Sequence, residues 1–306
     1  MENKVKYLAI GVVAIIIMAV IGALVLSQND DGDQTQSTVI KQKGSDTMLE
    51  LCQIWAEEYN AENAAVEVEI SGGGSGTGIS ALINKQVDIA QASRQIKASE
   101  MTAAQANGVD PVEFRVAIDG IAVITYHDNP VSVLTKEQLR GIYNGIITNW
   151  NQVGGNDESI TLYGRQSSSG TYVYFQEDIL GTENYSVNMN MLTGNSAIVN
   201  AVQGDEGGIG YVGLGYAVEA TGINILGLKE TATDPVYSPI DEESVLNGDY
   251  VLARYLYIYT DGTPSDQIGH WMSWVLSADG GQAIVTELGF YALPQTVADQ
   301  EMAKLG

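Results

Sequence analysis

The sequence predicts an α/β fold, on three observations. From residue 39 onward, short β-branched runs alternate with stretches whose apolar residues recur at helical spacing. Three times the passage from strand to helix runs through a loop of Gly, Ser and Thr. The chain has 306 residues, 45% hydrophobic and 17% charged, which is enough for about two domains with cores of their own.

Each junction can be read in turn. In "VIKQKGSDTMLELCQIWAEEYN" a short strand reaches Gly44, Ser45, Asp46 and Thr47, after which Leu49, Cys52, Ile54 and Trp55 fall at helical spacing. In "VEVEISGGGSGTGISALINKQ", Val66, Val68 and Ile70 alternate as a strand, a glycine loop carrying Ser75 follows, and Ile79, Leu82 and Ile83 begin a helix. In the third, Ile160 and Leu162 form the strand, and "GRQSSSGTYVYF" carries Arg165, Ser168, Ser169, Gly170 and Thr171 into a helix with Tyr172, Val173 and Phe175. The first N–H groups of a helix lack partners and sit at the positive end of its dipole, so such ends bind anions. Glycine lets the backbone approach closely, and hydroxyls donate without adding charge. An ordinary N-cap accounts for any one junction taken alone. Three together, one with an arginine whose planar fork suits a tetrahedral oxyanion, point to a ligand site.

Composition narrows the ligand. With 14 basic residues against 38 acidic ones and a formal charge of −24, the chain lacks the clustered Lys and Arg that nucleic acid requires. An anion must therefore be held by short-range hydrogen bonds and oriented dipoles, against the overall field. Cys52 is the only cysteine, so no intramolecular disulfide can form, and His127 and His270 are too few for a Cys/His zinc site. No metal and no cofactor is expected.

The N-terminus indicates the compartment. Lys4 and Lys6 precede an uncharged run from Tyr7 to Leu26, which as a helix spans roughly 30 Å. That is longer than the core of a cleavable signal, and no lipid-acceptor cysteine follows it, so residues 1–27 read as an uncleaved membrane anchor, with a removed signal as the alternative. Lysines before the span and Asp30, Asp31 and Asp33 after it place the remainder outside the cytoplasm. Residues 28–38 are polar and read as a flexible linker.

Enzyme readings of the same loops are weaker. Gly76, Gly78 and Ala81 match a relaxed G-x-G-x-x-A, but no acidic residue ends a following strand at the distance ribose recognition needs, and no Walker lysine follows Gly78. No G-x-S-x-G elbow is present. His127 falls in a turn and His270 in a helix, where packing or surface roles are the ordinary ones. The tyrosines, among them Tyr211 and the run Tyr255 to Tyr259, read as sheet and interface packing. Asn184-Tyr185-Ser186 fits the glycosylation pattern, which recurs by chance.

Several segments occur in an order that resembles the phosphate-binding protein of the phosphate-specific ABC importer: "KGSDTM", "SGGGSGTGISAL", "VDIAQASRQI", "AIDGIAVITYHDNPVSVLTKEQLRGIYNGIITNWNQVGG", "GRQSSSGTYVYF", "GGIGYV" and "ARYLYIYTDG". The resemblance covers nearly the whole chain from about residue 40. It implies a two-lobed type II periplasmic-binding-protein fold with a hinge, residues 39–119 and 251–306 forming one lobe and 120–250 the other. It implies a ligand, inorganic phosphate, enclosed between the lobes and passed to the permease subunits of an ABC transporter, with no catalysis; together with the N-terminal span, the chain reads as a monomeric receptor held in the membrane by its N-terminal helix. A receptor for another oxyanion such as sulfate, or a phosphate-ester hydrolase, is the alternative.

Residue by residue, the resemblance places Ser45, Asp46 and Thr47 in the first phosphate loop and Ser75 in the second. Ser93 ends the strand "VDIAQAS", with Arg94 beside it, and Arg165, Ser168, Ser169, Gly170 and Thr171 lie in the other lobe. Some family members have an aspartate where Ser93 stands, which accepts the proton of hydrogen phosphate. Asp46, the only carboxylate within the three loops, is the candidate acceptor here, with an N-cap as its other reading. Arg94 pairs with the ligand, with Asp46, or in a structural salt bridge.

Overall fold

The computed structural model describes residues 37–264 and 266–306. Strand β1 (Thr38–Gly44) alternates between exposed and buried positions up to Gly44, the period-two signature of a half-buried strand. Thr38 already pairs with Val66, so the polar linker read as ending at residue 38 gives way to strand one residue sooner. The anchor expected over residues 1–27 lies outside the described residues, as does most of that linker. Among the described residues no helix is long and apolar enough to cross a membrane.

Helix α1 (Leu49–Glu62) buries Leu51, Cys52, Trp55 and Tyr59 against the sheet, and Trp55 Nε1 donates to the carbonyl of Gly281 at 2.8 Å. Then follow β2 (Val66–Ser71), α2 (Ser75–Ile83), β3 (Ile89–Ala92) and α3 (Ala98–Ala106). Strands β1, β2 and β3 are parallel with β1 in the middle, as strand–helix–strand units require.

The next strand, β4 (Pro111–Tyr126), has 16 residues and is roughly 50 Å long at about 3.3 Å per residue. After it come β5 (Val133–Thr135), α4 (Lys136–Tyr143), β6 (Thr161–Arg165), α5 (Gly170–Phe175), β7 (Asn190–Leu192), α6 (Asn195–Gln203), β8 (Gly208–Gly213), α7 (Leu214–Val218), β9 (Ile223–Ile225), β10 (Gly227–Lys229) and α8 (Glu242–Leu246). The chain then returns on β11 (Ala253–Asp261) and ends with α9 (Asp266–Leu276), α10 (Gly281–Glu287) and α11 (Gln295–Met302). Gly280 stands between α9 and α10.

The sheet runs β2-β1-β3-β11-β4-β8-β6-β7, with β9 also on β4. Pro111 to Gly120 of β4 pair with β11, whereas Ile121 to Thr125 pair with β8. A single strand thus serves two halves of the molecule, each a sheet faced by helices. The β11–β4 register slips between Leu256 and Tyr257, leaving Val116 as the extra residue of a bulge. Its carbonyl accepts from Gln282 Nε2 at 2.9 Å, so the break in the ladder leaves no orphan there.

The largest apolar cluster runs through both halves, from Ile40 and Trp55 to Leu139 and Tyr211, and each half adds a smaller filling of its own. Under α2 and α3, Ile79, Leu82, Ile83, Ala104 and Val109 pack on Tyr257 and Tyr259. Under α6 and α7, Ile198, Val199, Val202 and Leu214 pack on Ala122, Ile124 and Val212. Tyr143, Phe175, Tyr185 and Tyr211 form an aromatic cluster in which the Phe175 and Tyr211 rings stack 4.1 Å apart, in keeping with the packing role read for the tyrosines.

Candidate oxyanion-binding site

Parallel strands present their carboxyl ends at one edge, which is where open α/β sheets bind ligands. Here the residues just past β1, β2, β3 and β6 meet. Ser45 Oγ donates to Ser93 Oγ at 2.9 Å and accepts the Thr47 N–H at 3.2 Å. Ser75 Oγ accepts the Ser93 N–H at 3.0 Å and lies 3.3 Å from Ser93 Oγ. From the other half, Thr171 Oγ1 lies 2.9 Å from Thr47 Oγ1. Ser45, Thr47, Ser75, Ser93, Ser169 and Thr171 are all buried, a concentration of hydroxyls that no apolar core would choose.

Two glycines let the loops approach. A Cβ on Gly170 would lie 2.3 Å from Ser75 Oγ and 2.6 Å from Ser93 Oγ. Gly74 has φ +96°, and a Cβ there would lie 2.5 Å from the Ser168 carbonyl. The Gly76 N–H donates to that carbonyl at 3.1 Å, and Ser168 Oγ donates to the Gly73 carbonyl at 3.2 Å. Second and third loops are therefore stitched together across the two halves. Ser169 also caps α5, its Oγ accepting the N–H groups of Thr171 and Tyr172, so capping and site geometry coexist.

Arg165 is fully buried. Its Nη1 donates to Asn195 Oδ1 at 2.7 Å and its Nη2 to Asp46 Oδ2 at 3.1 Å, while Nε has no hydrogen-bond partner. Burial pulls the guanidinium below its ordinary pKa, against the Asp46 carboxylate, which raises it. The remaining contacts of Asp46 are also with donors: Oδ1 accepts the Gly73 N–H at 2.7 Å, and Oδ2 accepts Gln166 Nε2 at 3.1 Å. Asp46 thus links the first loop to the second and to the other half, with donors already on both its oxygens.

Arg94 turns onto its own loop. Nη1 and Nη2 grip Glu100 at 2.8 and 2.7 Å, and Nη1 also donates to the Gln95 carbonyl. Burial would raise the Glu100 carboxyl, but the Arg94 fork and the Lys97 N–H outweigh it and hold the group below its usual value. Of the three partners read for Arg94, the one it takes is a structural salt bridge.

Sequence reasoning missed several residues that complete the cluster. Arg254, at the start of β11, donates to Asp119 Oδ2 through Nε and Nη2, to the Ser93 carbonyl through Nη1 at 2.8 Å and to Thr171 Oγ1 through Nη2 at 2.9 Å. Asn195 holds Arg165 from the N-terminus of α6, a fourth strand–glycine–helix junction whose "TGNS" carries the same signal as the other three. Tyr216 Oη donates to the Asp46 carbonyl at 3.0 Å. The N–H of Arg165 reaches Tyr211 Oη, which lies 3.0 Å from Tyr185 Oη, and Tyr185 in turn donates to the Tyr172 carbonyl of α5. Burial pushes the Tyr211 hydroxyl up to about 12, so it stays protonated. Among the described residues no group of His, Cys, Asp and Glu could hold a metal ion. Cys52 is buried with its thiol pushed up by desolvation, which suits packing and not nucleophilic chemistry.

Buried hydroxyls from both halves, with two guanidiniums each neutralised by its own carboxylate, define a receptor that encloses a small oxyanion between two lobes. Comparison with known proteins gives the family. Residues 30–279 match the family described as the PBP superfamily domain. The chain is 32% identical over 280 residues to the phosphate-binding protein PstS of Pseudomonas aeruginosa, covering 86% of this chain and 85% of that one. It is 31% identical over 310 residues to the phosphate-binding protein PstS of Staphylococcus saprophyticus, covering 98% and 94%. A Clostridium perfringens structure, assigned as a phosphate ABC transporter substrate-binding protein and solved with bound phosphate, superposes with a TM-score of 0.73 at 29% identity, over 84% of this chain and 100% of that one. The chain belongs to the PstS family of phosphate-binding proteins, within the periplasmic-binding-protein superfamily.

Proposed function

We propose that this protein captures inorganic phosphate between its two lobes and delivers it to the permease of an ABC transporter, without catalysis of its own. The observation that carries this reading is the Arg165 guanidinium, wholly buried, held by Asn195 and by Asp46 of the other half, with its Nε free of any protein partner. The site residues are Ser45, Asp46, Thr47, Ser75, Ser93, Arg165, Ser168, Ser169, Gly170 and Thr171. Arg94 supports them from its bridge to Glu100. Phosphate oxygens accept the hydrogen bonds that the hydroxyls of Ser45, Ser75, Ser93, Thr47 and Thr171 now make to one another, in surroundings dry enough to strengthen each hydrogen bond.

We assign residues 39–119 and 251–306 to one lobe and 120–250 to the other, on the strength of the change of partner along β4 at Gly120. Residues 1–27 hold the receptor, a monomer, on the outer face of the membrane. Small-angle scattering with and without phosphate tests capture between lobes: the radius of gyration falls on addition of ligand, and fails to fall in Arg165→Ala. A radius indifferent to phosphate in the native chain contradicts the reading.

A further inference from the structure

We propose that Arg254, gripped by Asp119, is a positioning residue for capture: it fixes the Thr171 hydroxyl as a proton donor to the anion and ties the loops of both lobes to the strands on which the lobes pivot. The proposal rests on the phosphate-receptor reading above and adds to it a residue that lies outside the three glycine loops.

Asp119 and Arg254 are partners in register across β4 and β11. One pair further along, Ala253 faces Gly120, and from Ile121 onward β4 pairs with β8 instead. The ion pair therefore sits where the chain crosses between the two halves. It is dry: the Arg254 side chain is 2% exposed and that of Asp119 0%. Asp119 Oδ2 accepts Arg254 Nε at 3.1 Å and Nη2 at 2.7 Å, and Oδ1 accepts the Leu214 N–H at 3.1 Å. The Arg254 guanidinium lies over the Tyr174 ring, 5.5 Å from its centroid. With its plane fixed in this way, the remaining N–H bonds point to the two sides of the cradle, Ser93 on one and Thr171 on the other.

The chemistry of the hydroxyl follows from this contact. A guanidinium only donates, whereas a threonine hydroxyl has one proton and two lone pairs. With Arg254 Nη2 on one lone pair of Thr171 Oγ1, the proton is directed elsewhere, toward Thr47 Oγ1 or toward an anion oxygen in its place. Lysine cannot reproduce this, because a single ammonium nitrogen cannot span Asp119, Ser93 and Thr171 in one plane. Crowding adds to the constraint: a Cβ on Gly213 would lie 2.9 Å from Thr47 Cγ2 and 3.6 Å from Asp119 Oδ1, so the pair and the first loop have little room to shift apart.

The test is a double-mutant cycle on the full chain, reading phosphate affinity by calorimetry for wild type, Arg254→Lys, Thr171→Val and the double variant. Arg254→Lys melts close to wild type without ligand yet binds at least tenfold more weakly. The double variant binds no worse than about threefold below the weaker single, because both changes remove one interaction. Multiplying losses, or an Arg254→Lys variant that binds like wild type, overturn the proposal. If Arg254→Lys does not fold, Asp119→Asn with Arg254→Gln removes both charges together, leaves no unpaired buried ion, and replaces it in the cycle: weakened binding that does not multiply with Thr171→Val supports the proposal, and multiplying losses or unchanged binding overturn it. A wild-type chain silent to phosphate defeats the receptor reading itself, and the proposal with it, a result distinct from additivity among variants of a chain that binds.

Discussion

At the scale of residues, the site solves a charge problem. The chain carries a formal −24, yet must hold an anion. Each guanidinium in the cradle is paired, Arg165 with Asp46 and Arg254 with Asp119, so the anion is met by oriented N–H and O–H groups and not by bulk positive charge. Arg165→Ala removes the guanidinium and leaves Asp46 and Asn195 without their partner. Breaking that pair lowers stability by about 3 to 5 kcal/mol, and losing a charged donor to the anion costs about 1.5 to 3 kcal/mol, so phosphate affinity falls roughly tenfold or more, read by calorimetry. Glu100 gives a pH signature. Burial raises its folded pKa, but Arg94 more than offsets this and leaves it depressed, so the stability it adds is present above its unfolded value, about 4.3, and is lost as pH falls through the folded value. Urea melts of wild type and Glu100→Gln therefore differ by a constant amount at neutral pH and converge in acid.

At the scale of elements, the loops and the strands that lead into them were legible, and the pairing of those strands was not. A strand, a run of Gly, Ser and Thr, and the onset of helical spacing are local signals, and they located Ser45, Thr47, Ser75, Ser169 and Thr171 because capping chemistry is written within a few residues. Asn195 carried the same signal and could have been found by it. Arg254 could not: it reaches Asp119 across 135 positions of sequence, through a register that only the β4–β11 ladder sets. The roles of Asp46 and Arg94 were likewise undecidable from spacing, since each had several partners within reach and only the folded chain chooses. The aromatic cluster behind α5 supports this element directly. Tyr211→Phe strips the acceptor from the Arg165 N–H, leaving a buried donor unpaired at a cost of about 1 to 3 kcal/mol, seen as a lower melting temperature together with weaker phosphate binding. Gly170→Ala acts differently: its methyl meets the Ser75 and Ser93 hydroxyls, so it weakens phosphate binding more than it lowers stability.

At the scale of the whole molecule, two halves share one long strand, and the glycine loops of both meet at its crossing point. The α/β class and the two-lobed architecture were legible because strands and helices alternate along the sequence, and because the resemblance spans nearly all of it from about residue 40. Recognition by neutral donors in a dry cleft has a consequence for solution behaviour. Salt screens exposed charges strongly and buried contacts weakly, so the phosphate affinity changes little between low and high ionic strength, measured by calorimetry across a salt series. The most direct test of capture is a calorimetric titration of the ligand-free chain with phosphate. One phosphate binds per chain, and Arg165→Ala abolishes or severely weakens that binding; a native chain that takes up no phosphate, or one whose binding is indifferent to Arg165, would overturn the receptor reading.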